Sequence, residues 1–280
     1  MQKSNNPRKD SYQKKVNIKL LSTEFLLYSN PIMCLVHFKG GKRAEAAQWS
    51  IEIQKMLKGI VESVIALENF MNQTAQNKKL YLEDKEIKIS EEKRYWTIIY
   101  LIDNGILRIY SCLDKIAQMC RCYFEHPSNG GQLEFVRRCG CKEFMDENNC
   151  NFGNLLNSIS KNIKRNQIIV KSLKKLDGAK SIQELRKYRT AFVHKKHLLD
   201  QTLGLDPKVK VVDQKNGTIS TSFSFGEVLP SVNWFRVNIV NANNAIVDCV
   251  EEIGEIIFPR DFEIKIIEKN SKSLVYERKN

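Results

Sequence analysis

Two long stretches of this chain carry apolar residues at steps of three and four, and that spacing commits them to helices. From about Lys42 to Gln76 the series is Trp49, Ile53, Met56, Ile60, Val64, Leu67 and Met71, with Gly59 lowering propensity without breaking the pattern. From about Ser90 to Phe124 it is Trp96, Ile99, Ile102, Ile106, Ile109, Leu113, Ile116 and Cys120. Ser90, ahead of Glu91 and Glu92, reads as the N-cap of this second helix. The polar run Asn72 to Lys79 separates the two. Matching seams joined by a polar loop predict an antiparallel helical hairpin, the start of a bundle. Asp103, Arg108 and Asp114 lie off the second seam and are expected in surface ion pairs.

Ahead of the hairpin, residues 1–15 read as a flexible basic arm, and Val16 to Phe38 as a strand or short helix broken at Asn30 and Pro31. After it, His126 to Gly131 breaks the helix and opens an insert over 125–151. A third helix is expected from Phe152 to Leu176, ended by Asp177 and Gly178. Ser181 and Glu184 form a capping box that starts a fourth helix. Asn216 and Gly217, between two β-prone runs, predict a hairpin at about 207–226. Helical spacing returns from Pro230 to about Phe258, and Phe262 to Ile267 alternates weakly as a strand. The fold class is therefore mainly α: a helical bundle with a cysteine-rich insert and a small β-hairpin, forming a single domain over 16–280.

The longest apolar runs, such as Ile98 to Ile102, fall far short of the about 20 residues that span a bilayer, and the basic N-terminus lacks a signal-peptide core. No membrane association and a soluble, cytoplasmic protein are expected. The eight cysteines then read as reduced thiols or a metal site. Cys120, Cys122, Cys139 and Cys141 form two Cys-x-Cys pairs able to hold a structural zinc. The competing reading is partly buried reduced thiols, with Cys34, Cys112 and Cys249 as small core residues. His37 reads as a structural histidine.

The net charge is +13 and unevenly spread. Between Lys161 and Lys196, twelve Lys and Arg face only Asp177 and Glu184, an excess of +10. Such a field attracts phosphate backbones or acidic protein surfaces. Within it lie Arg189 and His194. Five residues apart on an ideal helix, they differ by about 140° and about 7.5 Å along the axis, so meeting at one atom needs a long arginine, a helix irregularity or a second copy. Histidine exchanges protons near neutrality and arginine fits phosphate oxygens, a pair sufficient for phosphodiester chemistry without metal.

The long hairpin, the basic third helix and the capped helix running from Leu185 to Lys195 resemble the HEPN superfamily of α-helical proteins, over roughly Lys42 to Asp200 with Pro230 to Phe258 as a closing helix. Those families carry an Arg-x4–6-His motif, matched here by Arg189 and His194. The resemblance implies a metal-independent endoribonuclease, often a defence or toxin effector, working as a homodimer with no cofactor required for catalysis. An antitoxin or other regulatory partner is implied as well. Arg189 would bind the scissile phosphate and His194 would transfer protons around attack by the ribose 2′-hydroxyl. Arg186, Thr190, Lys195 and His197 are candidate substrate contacts. His197 with His194 and Asp200 also forms a line that could hold a metal, and the competing reading of Arg186 is simply another exposed cation. Tyr188 and Phe192 read as packing residues first and base-stacking residues second. Thr190 departs from the pattern, since active members usually carry Asn, Asp or His after the arginine. The superfamily also includes inactive binding members, so a non-catalytic module for nucleic acid or an acidic protein is the alternative.

Overall fold

In the computed structural model, the described residues are 17–31, 34, 41–77, 87–126, 129, 133–136, 140–162, 167–194, 208–213, 220–224, 231–258, 262–269 and 271–278. The basic arm, His37, Cys139, Lys195, His197, Asp200, Asn216 and Gly217 lie outside them. In chain order the elements are α1 (Thr23–Tyr28), α2 (Gly41–Asn77), α3 (Ile87–Phe124), β1 (Glu134–Val136), β2 (Lys142–Phe144), α4 (Phe152–Asn162), α5 (Gln167–Asp177), α6 (Lys180–His194), β3 (Lys208–Asp213), β4 (Ser220–Ser224), α7 (Val232–Ile257), β5 (Phe262–Lys269) and β6 (Ser271–Arg278). The chain is a mainly α helical bundle with small β-hairpins, as its periodicity dictates. Two compact units divide it, one of Met1–Ile18, Gly59–Ile109 and Asp177–Asn243, the other of Lys19–Lys58, Tyr110–Leu176 and Asn244–Asn280.

In the first unit, Ile60, Val64 and Leu67 of α2 and Ile99, Ile102, Ile106 and Ile109 of α3 are buried, together with Ile182 and Leu185 of α6 and Phe235 and Ile239 of α7. The helical hairpin is antiparallel here: the Arg108 guanidinium lies on Gly59, and Asn104 Nδ2 donates to Ser63 Oγ at 3.0 Å. Ser63 Oγ in turn donates to the Gly59 carbonyl at 2.9 Å, and Arg108 Nε to Asn104 Oδ1 at 3.1 Å. Arg108 is thus engaged across the helix pair rather than in the expected surface ion pair, because the missing side chain at Gly59 leaves room for its guanidinium. β3 and β4 pair antiparallel from Lys208 with Ser224 to Asp213 with Ser220, with a register shift between Val211 and Asp213.

In the second unit, Ile53 and Leu57 of α2, Leu113, Ile116 and Phe124 of α3, Leu155 and Ile159 of α4, Ile169 and Leu173 of α5, and Ile246, Val250 and Ile253 of α7 are all buried. α2 and α3 are again antiparallel, with Lys115 over the Trp49 ring at 4.6 Å and Arg121 bonded to Glu45. A segment leading into α1 lies along α7: the Lys19 amide donates to Asn244 Oδ1 at 2.7 Å, the Ser22 amide to Glu251 Oε1 at 2.7 Å, and Lys19 pairs with Asp248 at 2.6 Å. Phe25 packs edge-on against Phe258 at 6.1 Å and covers Gly254, where a Cβ would strike its ring.

The insert carries a three-residue hairpin, β1 with β2, fixed by the Met145 amide donating to the Leu133 carbonyl at 2.8 Å and Ser158 Oγ to the Glu134 carbonyl at 2.6 Å. Asn151 caps α4 through the Asn154 amide at 2.9 Å, while Asp114 Oδ1 accepts from the Phe152 amide at 3.2 Å. Asp114 therefore serves the start of α4 and is not a surface ion pair, since free amides at a helix start attract a carboxylate.

Several expected boundaries moved. α3 begins at Ile87, three residues before Ser90, since a cap is worth only about 1 kcal/mol and does not stop a helix-compatible run ahead of it. α6 begins at Lys180, with the Gln183 amide donating to the Ala179 carbonyl at 3.0 Å, so Ser181 sits inside the first turn instead of capping it. Helix is described on both sides of residues 163–166 of the expected third helix, as α4 and α5. The strand expected at Phe262 to Ile267 is β5, and it pairs with β6 from Phe262 with Arg278 to Lys269 with Ser271. β6 has too polar a sequence to announce itself.

Candidate active site on the sixth helix

α6 is an amphipathic helix docked by one face. Ser181, Ile182, Leu185 and Tyr188 are buried, and the Tyr188 ring meets Phe235 of α7 edge-on at 4.6 Å and 72°. Tyr188 is therefore a packing residue in this arrangement. Gln183, Arg186, Lys187, Arg189 and Thr190 are exposed. Arg186 Nη2 donates to Asp177 at 2.6 Å, and Lys187 Nζ to Glu184 at 2.9 Å, so the two acids of the basic stretch offset these two cations.

His194 is the last residue of α6. At about 100° per residue, its backbone position falls within about 40° of those of Thr190, Gln183 and Lys187, whereas that of Arg189 is about 140° away. Thr190, one turn before His194, shares its stripe; Arg189 falls between Ile182 and Leu185 in azimuth, on the docked side, yet it is exposed where it lies in the last turns of the helix. The helix alone thus does not align the arginine with the histidine. Lys195 and His197 lie beyond the described residues.

Sequence reasoning missed a second constellation, in the second unit. Arg121, 4 % exposed, donates to both carboxylate oxygens of Glu125 at 2.9 and 3.0 Å, to Glu45 at 2.8 Å and to Gln118 Oε1 at 2.9 Å. Lys42 completes it, with Glu125 at 2.8 Å and Glu45 at 3.2 Å. Burial pushes the Glu45 carboxyl up, but bonds to Cys122 and Lys42 and the charges of Lys42 and Arg121 outweigh it and leave the group lowered. The bond to Glu125 raises Lys42 against its own desolvation, and burial lowers Arg121 less than Glu125, Cys122 and Glu45 raise it. Gln118, oriented by Arg121, donates to the carbonyls of Glu147 at 2.7 Å and Cys150 at 3.1 Å and so ties the insert to α3. The i, i+4 spacing of Arg121 and Glu125 was the one sequence signal; Glu45 lies 76 residues away.

Cys120, Cys122 and Cys150 are buried, Cys141 is exposed and Cys139 is outside the described residues. Burial pushes the Cys120 and Cys122 thiols well up and Cys150 to about 12. Among the described residues no three His, Cys, Asp or Glu side chains gather as a metal-holding group, and no helix is long and apolar enough to cross a membrane.

A helical bundle presenting an arginine on one short helix that ends in a histidine is the class these features define. The sequence model of the Cthe2314-like HEPN family matches residues 49–222, more than half of the chain, from within α2 to within β4. The chain belongs to this HEPN family. Neither a comparison with curated proteins nor one with solved structures gave a match.

Proposed function

We propose that this HEPN protein is a metal-independent RNA endonuclease, carried by one observation: the family match spans α6, where Arg189 is exposed on a helix that ends at His194. In this reading Arg189 binds the scissile phosphate and stabilises charge as the 2′-oxygen attacks phosphorus. His194 transfers the protons: one leaves the 2′-hydroxyl and one reaches the departing 5′-oxygen, giving a cyclic phosphate and a free 5′-hydroxyl. DNA, without a 2′-hydroxyl, is not cleaved. The wide angle between the two positions on one helix makes a homodimer, with two motifs facing one another, the natural assembly. Arg186, Thr190, Lys195 and His197 are assigned to substrate contact. No cofactor takes part in catalysis, and a zinc on Cys120, Cys122, Cys139 and Cys141 would serve only to staple the insert. A cytoplasmic defence or toxin effector held silent by an antitoxin or other regulatory partner fits this chemistry.

Purified protein in EDTA should cleave RNA. Arg189→Ala and His194→Ala should each lower cleavage by about 10²–10⁴, with His194→Ala leaving RNA binding largely intact. Cleavage persisting in both variants refutes the assignment. Thr190 favours one second reading, a module that binds nucleic acid or an acidic protein without cleaving, because its exposed hydroxyl lacks the amide or imidazole usual at that position. RNA binding with no cleavage under any of these conditions would select it.

A further inference from the structure

The basic stretch is not uniformly available to a partner. On α6, Arg186 and Lys187 are held by Asp177 and Glu184. On α5, Lys171, Lys174 and Lys175 are exposed, and among the described residues none of the three has an ion-pair or hydrogen-bond partner. Their spacing, i, i+3 and i+4, puts all three on one stripe of the helix, with about 6 Å of axis between the first and last. Gln167 and Ile168 head the same stripe, and Ile168 is 56 % exposed. The opposite side, Ile169, Ser172, Leu173 and Leu176, is buried, so the three lysines share the solvent-facing side of the helix.

We propose that the Lys171, Lys174 and Lys175 stripe is a contact surface for the RNA phosphate backbone, separate from the Arg189 and His194 motif. The inference rests on RNA being the substrate, as above. Three point charges on one stripe, with no acid between Lys171 and Lys175 in the sequence, suit a track of phosphates, which needs charge along a line and no fixed fork. The stripe supplies affinity and orientation without reading sequence, and Ile168 offers an apolar contact to a sugar or base at its end.

The test uses the full chain carrying His194→Ala, so that RNA stays intact, with a single-stranded RNA titrated between 50 and 200 mM salt. The comparison is the same chain with Lys171, Lys174 and Lys175 all changed to Gln, which keeps helix propensity, and a second in which all three become Arg. With about 0.7 counterions released per phosphate contact on a single strand, losing three contacts should flatten the log Kd against log salt slope by about 2. The parent should then lose about twentyfold more affinity across that salt range than the Gln variant, and the Arg variant should keep the parental slope. RNA binding by the parent with an unchanged slope in the Gln variant overturns the stripe and leaves the ribonuclease reading standing. Binding of poly-glutamate but not RNA by the parent overturns RNA as the partner, and absence of cleavage by the unaltered chain separately overturns the ribonuclease reading.

Discussion

Tyr188→Ala separates packing from base-stacking at the candidate site. The residue is 8 % exposed, and its ring contacts Phe235 edge-on at 4.6 Å. Truncating a buried aromatic removes its transfer free energy and opens a cavity, typically about 3–5 kcal/mol, of which the ring pair accounts for about 1 kcal/mol. Residual exposure of 8 % lets the site collapse partly, which places the expected loss at about 3 kcal/mol. With a urea dependence of about 2 kcal/mol per M, the midpoint should fall by about 1.5 M. Tyr188→Phe keeps the ring and should stay within about 1 kcal/mol of the parent. Urea unfolding followed by far-UV circular dichroism measures all three proteins. RNA binding at low temperature, where Tyr188→Ala remains folded, completes the set. A midpoint within about 0.3 M of the parent, together with loss of RNA affinity, would refute the reasoning, because it would mean the ring meets bases and not Phe235.

Three further outcomes follow from the geometry. Gly254→Ala should destabilise by about 1–3 kcal/mol, because the new Cβ meets the buried Phe25 ring, whereas Gly59→Ala should be nearly neutral. At Gly59 only the flexible end of Arg108 has to move, and the helix gains about 1 kcal/mol in propensity against one hydrogen bond lost; thermal melts compare the two. Glu45 has its carboxyl held below the ordinary 4.5, so its share of stability is present above that pH and is lost as pH falls through the lowered value; Glu45→Gln should blunt acid unfolding there, read as the melting temperature against pH. Among the described cysteines, Cys141 should react with iodoacetamide at pH 8 well before Cys34, Cys150 and Cys249, whose thiols burial pushes to about 11, 12 and 12, with mass spectrometry locating the label.

The two long helices were legible because their seams are long: seven and eight apolar positions at helical spacing leave no other period open. Their partners were not. That Gly59 accommodates Arg108, or that Arg121 reaches Glu45, depends on which residues come opposite in the antiparallel pair, and a local pattern holds no such register. The Asn216 and Gly217 turn chemistry predicted β3 and β4, while β6 passed unread because Ser271, Lys272 and Ser273 give no apolar alternation. The charge excess from Lys161 to Lys196 was countable from the start. Its distribution was not, because it took the placement of Asp177 and Glu184 to show that Arg186 and Lys187 are compensated while Lys171, Lys174 and Lys175 have no acidic partner among the described residues. At the candidate site, the burial of Ile182, Leu185 and Tyr188 follows the helical period, whereas Arg189 shares their side of α6 and is nonetheless exposed, which spacing alone does not anticipate.

The segment along α7 has a consequence in time as well as space. Lys19 meets Asn244 across 225 residues, and Ser22 meets Glu251 across 229. At roughly 5–20 residues per second of synthesis, this segment waits on the order of 10–45 s before its partners exist. Until then Phe25 has neither Gly254 nor Phe258 to cover it. The second unit is therefore completed only once nearly all of the chain up to Phe258 has been made, and until then Phe25 lacks the edge-on ring contact it has in the folded unit.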